Sequence, residues 1–168
     1  MAKSFSGKGL TESETLRGRD WPCLRQFCVF LENRVGKLNE LMRHLETIDV
    51  RVLALSIVDS VDFAMVRLIF NNTDRAREKL QLSGFLFSES DVVGVALPED
   101  EMPFSSICTT LIKGEVNIHH TYPLLFRCRG QGTVALFVDD VDQAIQLLRE
   151  SGHRVITESD LLEDDDFM

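Results

Sequence analysis

The sequence predicts an α+β protein built from two βαββαβ units in tandem, and three observations carry that expectation. First, the chain repeats itself: Glu32 to Val52 recurs 66 residues later as Pro98 to Ile118, and Thr73 to Phe85 recurs after 68 residues. A self-similarity of that length marks two copies of one supersecondary unit. Second, short apolar runs alternate with stretches whose apolar residues step by three and four, the mark of strands alternating with amphipathic helices. Third, only a few residues separate the last strand of copy one from the first strand of copy two. The copies must therefore sit side by side, with sheets continuous or nearly so.

The elements follow in order. Arg25 to Leu31 (RQFCVFL) is aromatic and aliphatic on both faces, as a buried strand is. From Gly36 to about Ile48 the apolar residues Leu38, Leu41, Met42, Leu45 and Ile48 form one helical stripe between charged positions. Val50 to Val58 and Phe63 to Phe70 read as strands joined by the turn Asp59-Ser60-Val61-Asp62, where Asp and Ser are turn formers. Asn72 or Thr73 is a suitable N-cap for a helix over Asp74 to Leu82, and Gly84 a suitable left-handed stop. Phe85 to Ser88 closes the unit. Copy two repeats the pattern with strands at Val92 to Leu97, Val116 to Phe126, Thr133 to Val138 and Arg154 to Thr157, and helices at Phe104 to Ile112 and Val141 to Ser151.

Within the repeat, Leu38, Leu41, Met42, Leu45 and Val50 correspond to Phe104, Ile107, Cys108, Leu111 and Val116, while Asp74, Ala76, Leu80, Ser83 and Gly84 correspond to Asp142, Ala144, Leu148, Ser151 and Gly152. This is the ferredoxin-like order, an antiparallel sheet with its helices on one face. The expected division is a flexible N-terminal segment over 1–24, one unit over 25–90, a second over 91–160, and an acidic tail over 161–168.

Composition narrows the function classes. The 168 residues are 44% hydrophobic and 27% charged, without an apolar run near the roughly 20 residues that a membrane span needs. A soluble, cytoplasmic protein is expected, with no membrane partner. The net charge of −9 argues against nucleic acid, whose phosphates call for clustered Lys and Arg. Cys23, Cys28, Cys108 and Cys128 show neither a CxxC spacing nor a dense framework, so reduced thiols are expected, with Cys28 and Cys108 acting as small hydrophobes. Residues 1–20 lack the apolar core of a signal peptide.

The run VFLENRVGKLNELMRHLETIDVRVLALSIVDSVDFAMVRLIF resembles the first half of the tandem ACT-domain proteins. The second copy resembles their second half through Val116-Asn117-Ile118-His119-His120-Thr121-Tyr122 and Leu136-Phe137-Val138-Asp139-Asp140. The likeness spans about residues 25 to 160. It implies a regulatory module, without an attached catalytic domain, that binds an amino acid or similar metabolite at an interface between two ACT units.

The loop from Asn33 to Leu38 supports such a use independently. A strand turning into a helix at Gly36 leaves the first helical N–H groups unpaired, and the helix dipole there favours a carboxylate. Gly36 presents no side chain to obstruct it. The candidate ligand-binding residues are Asn33, Arg34, Val35, Gly36, Lys37 and Leu38, with Arg34 or Lys37 supplying charge at the rim. The alternative is a plain helix-entry turn capped by Asn33. A bulky residue such as valine at Gly36 is expected to abolish ligand uptake with little loss of fold.

Copy two departs from the pattern at this loop. Met102 and Pro103 replace Gly36 and Lys37, and three acidic residues precede them, so the equivalent second site is expected to be lost. The surviving loop is expected to face copy two's second strand, where His119, His120 and Tyr122 replace Leu53, Ala54 and Ser56. These three complete the candidate site, with the ligand's amine near His119 or Tyr122. A metal reading of the adjacent histidines is weakened because neighbours on a strand point to opposite faces unless a bulge intervenes.

No metal, cofactor or catalytic residue is expected, since GxSxG, P-loop and HExxH patterns are lacking. The expected partners are an amino-acid ligand, a regulated metabolic enzyme, and a second chain forming a homodimer over the sheet face that the helices leave uncovered. The alternative function is a non-catalytic association module with a vestigial site.

Overall fold

The structure is a computed structural model that describes residues 22–163. Of the N-terminal segment expected over 1–24 and the acidic tail expected over 161–168, residues 1–21 and 164–168 lie outside the described residues, whereas Cys23, Leu24 and Leu161 are buried in the cores. Copy one contains β1 (Leu24–Glu32), α1 (Lys37–Leu45), β2 (Val52–Asp59), β3 (Phe63–Phe70) and α2 (Thr73–Ser83). A single strand, β4 (Leu86–Ala96), leads into α3 (Pro103–Ile112), β5 (Ile118–Cys128), β6 (Gln131–Val138), α4 (Val141–Glu150), β7 (Val155–Ile156) and α5 (Glu158–Glu163).

The short gap between the copies closes completely. The two strands expected on either side of it are one eleven-residue strand whose first half pairs with β1 and whose second half pairs with β6 and β7. The described strands therefore form one antiparallel sheet in the order β2-β3-β1-β4-β6-β5, with β7 also on β4.

Three apolar cores hold this arrangement. In copy one, Phe27, Leu41, Leu45, Leu68 and Leu80 pack α1 and α2 onto the sheet; in copy two, Val95, Ile107, Leu111, Leu136 and Leu148 do the same for α3 and α4. Five of the repeat correspondences, Leu41 with Ile107, Leu45 with Leu111, Val50 with Val116, Ala76 with Ala144 and Leu80 with Leu148, are thus pairs of core positions, whereas Phe104 and Cys108, the counterparts of Leu38 and Met42, are exposed. The third core joins the copies. Leu24, Leu53 and Ile69 from copy one pack against Leu124, Phe126 and Ile156 from copy two, and β2 touches β5 although the two lie at opposite ends of the strand order. The sheet folds back so that the faces without helices cover one another. Part of the face expected to be covered by a second chain is thus covered from within, while Val58, Phe63 and Leu86 at its far end stay exposed.

Local chemistry explains most boundaries. Asn72 caps α2 by accepting from the Arg75 amide at 3.1 Å, and Asp140 caps α4 by accepting from Gln143 at 2.9 Å. Gly84 ends α2 with φ 73°. Helix α1 stops at Leu45, a turn earlier than the apolar spacing suggests, because Thr47 and Val50 exchange backbone hydrogen bonds that turn the chain toward β2. Ile48 is consequently exposed rather than on the core stripe. A bulge between Val52 and Ala54 places the adjacent residues Leu53 and Ala54 together in the core between the copies. Cys28 is half-buried and Cys108 exposed, while Cys23 and Cys128 are the buried thiols.

Candidate functional site

The loop between β1 and α1 has the predicted backbone shape. Gly36 occupies the helix-cap position with φ 89°, in left-handed space, and no side chain caps α1. The Lys37 amide donates to the Arg34 carbonyl at 3.2 Å, closing the turn. An added Cβ at Gly36 meets nothing within 4 Å, so the space outside the loop is open. The glycine is required by its dihedral angle. A side chain in left-handed backbone costs about 1–2 kcal/mol, more when β-branched, so valine at Gly36 strains the fold and the expected silence of that substitution on stability does not hold.

The loop's side chains are occupied. Asn33 donates its amide to Asp59 Oδ1 at 2.8 Å and to the Ser60 carbonyl at 3.1 Å, tying the loop to the β2–β3 turn; it caps no helix. Arg34 pairs with Glu32. Lys37 reaches Glu40 at 3.0 Å, a contact that holds the Glu40 carboxyl below its usual range. Both cations expected at the rim are therefore neutralised locally by exposed partners, pairs worth little in water. Val35 projects fully into solvent and Leu38 rests against the copy-one core. What the loop offers a ligand is the backbone at the start of α1.

In copy two the corresponding cap is Met102, with φ −135° and Pro103 following it. Asp100 Oδ1 accepts from the Met102 amide at 2.8 Å. An anionic side chain thus turns in on the backbone at that entry, which leaves the second loop unlike the first in both conformation and charge.

His119, His120 and Tyr122 form a different cluster. The strand is bulged between Ile118 and His120, and both histidine rings reach Phe137, at 5.6 Å and 4.7 Å between centroids. The bulge that would let the pair act together is therefore present, yet no group of three or more metal-ligating side chains occurs among the described residues. Tyr122 donates to Gln26 Oε1 at 2.5 Å and His120 Nε2 lies 3.0 Å from the same oxygen. Since that oxygen only accepts, His120 carries its proton on Nε2. Gln26 in turn donates to Ser90 at 3.1 Å. Burial and the Arg67 charge lower the His120 pKa, keeping the ring neutral, and burial pushes the Tyr122 phenol well above its ordinary range.

Gln26 is thus a buried connector between copy one's β1 and copy two's β5, 1% exposed. Sequence reasoning missed it. The signal was available as one uncharged amide within the strand, on the face opposite Phe27. Its position also separates the two halves of the expected site: Gln26 and Asn33 lie seven residues apart along β1, or about 23 Å at ~3.3 Å per residue. Within one chain the Gly36 loop and the His120–Tyr122 cluster do not meet.

A family model described as an ACT domain pair matches residues 23–164. Among solved structures, a protein from Bacteroides thetaiotaomicron is 27% identical with a TM-score of 0.75, the match covering 84% of this chain and 97% of that one. The ligand-free regulatory subunit of aspartate kinase from Thermus thermophilus shares the fold at 11% identity and TM-score 0.53, covering 80% of this chain and 96% of that subunit. No curated protein matches the sequence.

Proposed function

Because the chain belongs to the ACT domain-pair family, a family of small-molecule-binding regulatory domains, we propose that it binds an amino acid through the Gly36 loop and thereby regulates a metabolic enzyme. The observation that carries this reading is the entry to α1: a left-handed glycine, open space outside it, and no side chain capping the helix. The first-turn amides and the helix dipole there suit a carboxylate. Since the loop's own cations are paired, the backbone supplies the affinity, and Val35 and Lys37 form the rim. The polar cluster of His120 and Tyr122 is assigned to holding the copies in register rather than to holding the amine. No catalytic role is proposed for any residue.

Regulation follows only if the ligand binds one arrangement of the protein better than another. Three cores tie the copies into one body, so the responsive contact is placed between this chain and its partner.

The test is a thermal-shift screen of the full chain against the twenty amino acids, repeated on Val35→Glu. A ligand selective for the folded state raises the melting temperature by mass action. Val35 is fully exposed, so the variant keeps its fold while placing a competing carboxylate beside the α1 amides. A shift for a related group of amino acids that the variant abolishes is expected. A flat screen, or equal shifts in the variant, contradicts the assignment and favours the association module.

A further inference from the structure

Copy two covers only half of copy one's outer sheet face. Ile69 and Gln26, beneath copy two, are 1% exposed. One register step along the strands lies a polar row, with Ser56 opposite Arg67, Arg67 opposite Cys28, and Cys28 opposite Ser88. One step further lies an apolar row in which Met65 and Leu86 flank Phe30. The polar row is half-buried and the apolar row opens to solvent, Leu86 being 72% exposed.

Arg67 is the cation of this face. It stands directly across from Cys28 in the register, and its charge acts on the Cys28 thiol and, across the contact between the copies, on His120 and Tyr122. Among the described residues no carboxylate pairs with it, whereas Arg25, Arg34, Arg75, Arg77 and Arg154 each meet one. A half-buried guanidinium beside apolar side chains gives up part of its hydration without a counter-charge. Its planar fork matches a carboxylate in two parallel hydrogen bonds.

We propose that this half-covered face binds a small carboxylate carrying an apolar body. The carboxylate sits on Arg67 with the Ser56 and Ser88 hydroxyls beside it, and the apolar body lies over Phe30 and Met65. The neutral His120 bounds the copy-two side. The carboxylate anchor stands apart from the Gly36 loop: Cys28 and Asn33 are five residues apart in the chain, about 16 Å at ~3.3 Å per residue.

Calorimetric titration of the full chain with sodium phenylacetate tests this, with sodium acetate as the probe lacking an apolar body. Phenylacetate is expected to bind at least tenfold more tightly than acetate. Arg67→Gln is expected to weaken phenylacetate at least tenfold. Met65→Glu, which offers Arg67 an internal carboxylate, is expected to do the same, so the conclusion does not depend on how well one variant folds. Val35→Glu is expected to leave phenylacetate binding unchanged, which separates this site's failure from that of the loop. Absence of binding, or equal binding by Arg67→Gln and Met65→Glu, overturns the proposal. So does a parent chain that sediments as a dimer, becomes monomeric on Met65→Glu and takes up no phenylacetate, since the occupant is then a second copy.

Discussion

Replacing Gln26 by leucine removes the one side chain that hydrogen-bonds both copies at the centre of their contact. In the parent, Gln26 Oε1 accepts from Tyr122 at 2.5 Å and lies 3.0 Å from His120 Nε2, while its amide donates to Ser90 at 3.1 Å. Leucine is close in size, so the loss is polar rather than volumetric. Tyr122 is 8% exposed, and leaving its hydroxyl without an acceptor costs about 1–3 kcal/mol. His120 and Ser90 are only half-buried and turn to water, so they add little. The expected total is about 1–3 kcal/mol, which for a chain of this size lowers the melting temperature by roughly 3–10 °C. Tyr122→Phe alone leaves the Gln26 oxygen with His120 and costs about 1 kcal/mol. In the double variant no phenol remains to be orphaned, so the combined loss falls short of the sum by about 1–2 kcal/mol. Urea unfolding of the four proteins at neutral pH measures this coupling. Additivity within about 0.5 kcal/mol, or a Gln26→Leu variant as stable as the parent, refutes the connector role.

Gly94 on β4 pairs with Ala135 and Ile156, and an added Cβ there meets Leu24 Cδ1 at 2.5 Å and Ile156 Cβ at 3.3 Å; Gly94→Ala is expected to lower stability by about 1–3 kcal/mol in urea unfolding through overpacking. Gly36→Ala is expected to cost about 1–2 kcal/mol and Gly36→Asn less, because only the left-handed backbone is at stake there. Burial raises the Glu158 carboxyl above 4.5, opposed by its hydrogen bond from Thr73 and by Arg25. A raised carboxyl disfavours the folded state once ionised, so its destabilisation grows as pH rises from about 4.5 through the folded value and is absent below. Glu158→Gln is therefore expected to raise the melting temperature at pH 7 and to match the parent near pH 4, as a pH series of melts would record.

Much of the fold was legible because repeat, period and cap are local signals. Leu41 and Leu45 against Ile107 and Leu111, the Asn72 cap and the Gly84 stop depend on spacing along the chain. Ile48 misled because it keeps the helical step while the Thr47–Val50 turn outcompetes another helical turn. Helix α5 was missed since Glu158 to Glu163 follows straight after the last strand and reads as the start of an acidic tail. The Gly36 turn was legible from one residue's conformational freedom. The pairing of Asn33 with Asp59, of Arg34 with Glu32 and of His120 and Tyr122 with Gln26 was not, because each partner is chosen by how the sheet folds. The expectation that the loop faces His119 to Tyr122 failed for that reason: sheet continuity was evident, and the direction in which the sheet bends was not.

The most direct measurement is an amide-resolved nitrogen–proton shift titration of the full chain with the amino acid that gives the largest thermal shift. Saturable movement centred on Leu38 and Asn39, in the first turn of α1, is the result predicted. Movement confined to other parts of the sheet, with those two amides unchanged at saturation, would contradict the Gly36 loop as the ligand site.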